Sequence, residues 1–257
     1  MVADIPRNTP VVHLALDIQE EYLSRLEKTR TARLPVDVRK FADDLTKKGI
    51  PTIWVAYGDD VDEFVTRGVP DDPTRYGLPT FVHDSESIFI KSSNNAFYKP
   101  VMAEYLKACG THSVVVSGLN TRRCIADTIW GGQMEQFKCH AVFNLMGDVH
   151  AEVRQDASPS WHRQELEAKL EQYRTGLEYH HGPLAIVNPQ VSFCTADDFL
   201  ASLARIEPPI AAHDRTPLRH LQKGNFARHL EELRSVPVVP QAKTNPHRCG
   251  SQSHPAP

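Results

Sequence analysis

The chain has 257 residues, 40% of them hydrophobic and 24% charged, with a formal net charge of -3. That length and balance suit one α/β domain with an appendage and exclude wholesale disorder. The charge gives no electrostatic reason to expect nucleic acid or an anionic membrane as partner, and no apolar run approaches the ~20 residues of a bilayer span. The first residues lack the charged-then-apolar layout of a secretory signal, so the expected location is the cytoplasm. The five cysteines, Cys109, Cys124, Cys139, Cys194 and Cys249, are odd in number and form no CxxC pair. This argues against a disulfide framework or a thiolate metal site and leaves room for a free nucleophile.

Residues 11–17 (VVHLALD) read as a buried strand ending on an acid. Two helical patterns follow, one from Glu20 toward Arg30 and one over 36–48, where Gly49 serves as stop and Pro51 follows. Residues 52–57 (TIWVAY) form a second strand. Residues 58–80 are polar and Pro-rich, a long excursion of the kind that carries function. A third strand spans 87–91 (SIFIK), a helix 100–108, and a fourth strand 113–117 (SVVVS). After a turn over 118–123 a helix starts near Cys124. A fifth strand covers 138–145, an amphipathic helix 161–177, a sixth strand 184–187 and a closing helix 196–203.

Strands alternate with helices, and several strands are continuous apolar runs. The predicted fold is a three-layer α/β sandwich: a mostly parallel six-stranded sheet with helices on both faces. It occupies residues 1–205. Eight of the 19 prolines fall after residue 207, so residues 206–257 read as a partly flexible Pro-rich extension, with one short helix over 225–234.

Ligands of open parallel sheets bind outside the carboxyl ends of the strands. Asp17 closes strand one, Lys91 closes strand three and Cys124 follows strand four, so the fold brings all three to one edge. A thiolate is the reactive form of cysteine; a helix N-terminus and a lysine both favour it, and a carboxylate can take the thiol proton and later return it to a leaving amine. The turn before Cys124 offers backbone N–H groups to an oxyanion. Tyr22, Tyr57, Phe97 and Trp130 are the aromatic candidates for a substrate pocket and Arg122 the candidate for a substrate clamp. Lys99 is the rival of Lys91. His13, inside the first strand, reads as a hydrogen-bonded core histidine.

Three segments in this order resemble a known family. Asp17-Ile18-Gln19-Glu20-Glu21-Tyr22 is similar to a D-x-Q-x-x-F opening. Lys91-Ser92-Ser93-Asn94-Asn95-Ala96-Phe97 is similar to a lysine followed by Ser-Ala-Phe. Gly118-Leu119-Asn120-Thr121-Arg122-Arg123-Cys124 is similar to G-V-x-T-D-x-C. Together they resemble the isochorismatase-like cysteine hydrolases, which include nicotinamidases and N-carbamoylsarcosine amidases, over roughly residues 10–205.

The resemblance implies Cys124 as nucleophile, Asp17 as general base and acid, Lys91 as supporting cation, the backbone N–H groups of Asn120 and Cys124 as oxyanion donors, and a cis Leu119–Asn120 peptide. It implies hydrolysis of a small-molecule amide or ureido C–N bond through an acyl-enzyme, and a homo-oligomer. Two departures stand out. Arg122 replaces the motif's aspartate, and residues 57–64 (YGDDVDEF) lack the histidines of the nicotinamidase metal cluster. Asp59, Asp60 and Asp62 alternate as a hard-cation loop would, without the glycine an EF-hand needs. No metal or cofactor is expected. A vinyl-ether hydrolase and a catalytically idle binding module are the alternatives.

Overall fold

The computed structural model describes residues 10–26, 28–58, 62–65, 77, 82, 87–149, 158–181 and 191–203. The chain divides into two units, Met1–Pro217 and Leu218–Pro257. The second unit, the rest of the expected 206–257 extension, the helix expected at 225–234 and the strand expected at 184–187 lie outside the described residues.

Seven strands form one sheet: β1 Val11–Leu16, β2 Thr52–Tyr57, β3 Glu63–Val65, β4 Ser87–Lys91, β5 Ser113–Leu119, β6 Lys138–Gly147 and β7 Val191–Cys194. Their order is β3-β4-β2-β1-β5-β6-β7. All neighbouring pairs are parallel except β3 with β4. The helices are α1 Glu20–Leu23, α2 Lys28–Lys47, α3 Pro100–Ala108, α4 Ala126–Met134, α5 Pro159–His181 and α6 Ala196–Leu203.

The alternation of each strand sorts the core into two layers. Val12, Leu14, Leu16, Val114 and Val116 pack with Met102 and Leu106 of α3, Ile129 of α4 and Leu166 of α5. Ala15, Trp54, Ala56, Ile88 and Val115 pack with Val38, Phe41 and Leu45 of α2 and Phe199 of α6. Helices therefore cover both faces, as continuous apolar strands require.

Three details correct the sequence reading. The sheet has seven strands rather than six, because β3 hides in the polar excursion. With three residues it is too short for a periodicity reading, and Phe64 anchors it against Phe89 and Tyr105, ring centroids 4.9 and 4.2 Å away. The first helix is a single turn, and the long helix runs through Pro35 instead of starting after it. Gly49 does end that helix: its φ of 78° lets Ile50 N–H reach Leu45 O at 3.0 Å.

Candidate active site

Three carboxyl-terminal strand ends supply the site. At the end of β1, Asp17 N–H continues the ladder to Val55 O (2.7 Å), then φ turns positive to 53°. Gln19 fastens this turn to β2: its amide accepts from Tyr57 N–H (2.8 Å) and donates to Tyr57 O (3.1 Å). β2 lies between β1 and β4, so Lys91 must reach across two strand spacings, about 9.6 Å. Its long side chain does so over the Tyr57 ring, 5.1 Å from the centroid, and ends 3.1 Å from Asp17 Oδ2.

Both side chains are fully buried. Lys91 Nζ also donates to Ser93 O (3.2 Å). The turn after Lys91 is tied down by Asp62, which accepts Ser92 N–H at 2.8 Å and the Ser92 hydroxyl. Lys99, the rival cation, is partly exposed and pairs with Asp62 at 3.7 Å, leaving Lys91 beside Asp17.

Cys124 sits in one turn of π-helix, Thr121–Ile125, immediately before α4. The turn begins at Gly118, whose φ is 118° and where a Cβ would fall 2.1 Å from Leu16 O. Only glycine lets β5 pass β1 so closely beside Asp17. Asn120 follows in the left-handed region (φ 63°, ψ 73°), and its carbonyl accepts from Arg123 N–H (2.9 Å) and Ile125 N–H (3.2 Å). Among the described residues no peptide bond is cis, so the expected cis Leu119–Asn120 bond is corrected to a trans bond with the reversal made by positive φ at Gly118 and Asn120. Thr121, buried, donates to Gly147 O (3.2 Å) and meets His162 Nδ1 (2.8 Å), which seats the turn on β6 and α5.

The electrostatics differ from the sequence expectation. Burial first, then the Asp17 carboxylate, push the Cys124 thiol well above the ordinary range; Lys91 opposes this without overcoming it. Burial alone would lower the Lys91 ammonium, but Asp17 and Cys124 hold its pKa above the ordinary lysine value. The thiol is therefore favoured in its protonated form beside the buried Asp17–Lys91 pair. Tyr22 stands close enough for its hydroxyl to feel Asp17 and Cys124; burial and these charges push it up to about 12.

The other substrate candidates have protein partners. Phe97 is core, its ring 5.4 Å from Phe137, because the Lys91 loop turns inward at Ala96. Trp130 packs against Tyr173 of α5, ring centroids 5.7 Å apart. Arg122 is engaged by acids, 4.0 Å from Asp148 and 3.9 Å from Glu165. Among the described residues no group of three His, Cys, Asp or Glu side chains can hold a metal ion; Asp59 and Asp60 lie outside them. A separate cavity of about 450 Å³ between α2, α6 and β6, lined by Lys40, Phe41, Asn144 and Leu200, contains none of the three strand-end residues. Among the described residues no helix is long and apolar enough to cross a membrane.

Sequence reasoning missed Asn94, whose Oδ1 accepts from Cys124 Sγ at 3.5 Å. It also missed Asp62 as an anchor of the Lys91 loop, and Thr128, which binds Asn94 O (3.3 Å) and Ala96 N–H (3.1 Å). Gln19 carried a signal, as the third residue of the Asp17 motif; Asn94 carried none beyond its place between Lys91 and Phe97.

The isochorismatase domain model matches residues 11–162, a span that holds Asp17, Lys91 and Cys124. Among solved structures the chain is similar to a putative isochorismatase from Burkholderia xenovorans, with 20% identity, a TM-score of 0.53, and coverage of 77% of this chain and 89% of that one. It is similar to a putative hydrolase of the isochorismatase family from Chromobacterium violaceum, with 17% identity, a TM-score of 0.52, and coverage of 80% and 100%. YcaC from Pseudomonas aeruginosa, in a structure with hexane-2,5-diol and covalent acrylamide, gives 16% identity, a TM-score of 0.53, and coverage of 77% and 82%. At these identities the likeness is one of fold. No curated protein matches significantly.

Proposed function

The chain belongs to the isochorismatase family of hydrolases, and from that premise we propose that it cleaves an amide or ureido C–N bond of a small molecule through a covalent Cys124 intermediate. The observation that supports this reading best is the buried Asp17–Lys91 pair, 3.1 Å across, in electrostatic contact with the Cys124 thiol.

In this reading the thiol stays protonated until a substrate arrives. Asp17 takes its proton as Sγ bonds to the carbonyl carbon, and the C=O pair moves to oxygen. The backbone N–H groups of Asn120 and Cys124, on the π-turn, face the oxyanion. Asp17 returns the proton to nitrogen, the C–N bond breaks, and ammonia or an amine leaves. Water, deprotonated by Asp17, then attacks the acyl carbon; the C–S bond breaks, the acid leaves and Asp17 returns the proton to Sγ. Lys91 stays beside Asp17 through both transfers and offsets the negative charge that passes through the buried site.

The test is intact-mass trapping with a panel of small amides and ureido compounds. The expected result is a mass increase of one acyl group on Cys124, absent in Cys124→Ser. No adduct with any amide, together with turnover of a vinyl ether, would replace this reading with vinyl-ether hydrolysis. No adduct and no turnover would leave a binding module.

A further inference from the structure

The Cys124 thiol donates to Asn94 Oδ1 (3.5 Å) and at the same time stands in contact with the Asp17 carboxyl. Asn94 is exposed, whereas Cys124 and Asp17 are buried, so this amide links the thiol to the solvent side of the site. Its backbone is fixed from the cysteine's own helical segment: Thr128, one turn beyond Cys124, holds Asn94 O and Ala96 N–H. Side-chain amide and thiol therefore keep their spacing as a unit.

We infer that Asn94 is a catalytic residue that holds the thiol proton in the resting enzyme and surrenders it when the substrate's own N–H takes its place on Oδ1. This rests on the amide-hydrolase reading. A thiol is a weak donor and an amide N–H a stronger one, so the exchange runs in the substrate's favour. Once displaced from Asn94, the thiol is left with Asp17, the carboxyl that Lys91 also faces at 3.1 Å. The proton passes from Sγ to that carboxylate as the S–C bond forms and the carbonyl pair moves to oxygen. Substrates with an N–H on the reacting amide are thereby selected over N,N-dialkylated ones.

The charged and titratable groups around the thiol are Asp17 from β1, Lys91 from β4 and Tyr22 from α1. Asn94 does not titrate, so its replacement reports on the hydrogen bond alone.

The experiment measures modification of Cys124 by methyl methanethiosulfonate, a reagent without N–H, on the full chain at fixed pH between 7 and 9. Asn94→Ala removes the acceptor and is expected to react about tenfold faster. Asn94→Leu keeps the size without an acceptor and adds no charge, and is likewise expected to react faster than wild type. An Asn94→Ala or Asn94→Leu rate equal to or below that of wild type overturns the inference. A change of access alone would leave the isosteric variant unchanged. In turnover, the kcat/KM preference for a primary amide over its N,N-dimethyl counterpart is expected to be at least tenfold in wild type and lost in Asn94→Ala; a preference retained in the variant also overturns it. Thiol rates are read without turnover, so their failure counts against Asn94, whereas a missing acyl adduct counts against the amide-hydrolase reading.

Discussion

Lys91 Nζ lies 3.1 Å from Asp17 Oδ2 with both side chains wholly excluded from solvent. Two charges so buried are tolerated only together, because each offsets the other's desolvation. Lys91→Met leaves a buried carboxylate unpaired and is expected to destabilise the fold by about 3–5 kcal/mol. It also removes the cation that lowers the Cys124 thiol, so thiol modification at pH 8 is expected to slow. Urea unfolding and methanethiosulfonate rates check the two effects. A Lys91→Met protein as stable and as reactive as wild type would remove the pair from both roles.

Asp17→Asn separates reactivity from catalysis. The carboxylate raises the Cys124 thiol, so its neutralisation is expected to make the thiol more reactive toward a simple reagent at fixed pH. Turnover is expected to fall by roughly 10²–10⁴, the usual worth of a positioned acid–base group. Faster modification with lost kcat is the signature of Asp17 as proton carrier. A variant that loses both in parallel would make Asp17 a structural support only.

The strand-end residues were legible in the sequence because each closes or follows an apolar run whose burial is plain. Asp17, Lys91 and Cys124 need no side-chain detail to be brought to one edge of a parallel sheet. The aromatic candidates were not separable in this way. Phe97 and Trp130 are apolar residues near a motif, and periodicity reports that such a ring is covered without saying whether protein or substrate covers it. Arg122 depended on partners 26 and 43 residues later in the chain, Asp148 and Glu165. The direction of the thiol shift was misread for a related reason. A lysine and a helix start are visible in sequence, but the depth of Cys124 is a property of the packed turn, and burial outweighs both.

Gly118 is the residue on which the meeting of β1 and β5 depends. A Cβ there would stand 2.1 Å from Leu16 O and 2.7 Å from Leu16 N, both backbone atoms, at a φ of 118° that side chains resist. Neither the neighbour nor the torsion can yield without shifting Asp17, the next residue. Gly118→Ala is expected to cost about 3 kcal/mol or more, within the range for backbone strain with a core clash. Thermal unfolding measures it. A loss under about 1 kcal/mol, a typical value for a single substitution, would mean that the two strands can separate at this point.

His13 gives the fold a pH dependence independent of the active site. Its ring is fully buried in β1, with Nδ1 3.0 Å from Thr52 Oγ1 and Nε2 2.8 Å from Ser117 Oγ. Burial lowers its pKa to about 3. An unfolded chain takes up a proton on this histidine below about pH 6.5, whereas the folded chain does not until about pH 3. The stabilising difference is therefore complete above pH 6.5 and is lost as pH falls toward 3, with a slope of about 1.4 kcal/mol per pH unit inside that window. His13→Gln keeps polar atoms for Thr52 and Ser117 but cannot take the proton. Its unfolding free energy is expected to fall less between pH 7 and pH 5 than that of wild type, by about 2 kcal/mol. His140, lowered to about 4 by burial and by Lys138, titrates in both proteins, so the variant keeps part of the slope. Urea titrations at the two pH values decide it, and because slopes are compared, the cost of the substitution itself cancels. Equal slopes would mean that His13 is protonated in the folded chain or opens to water before the core does.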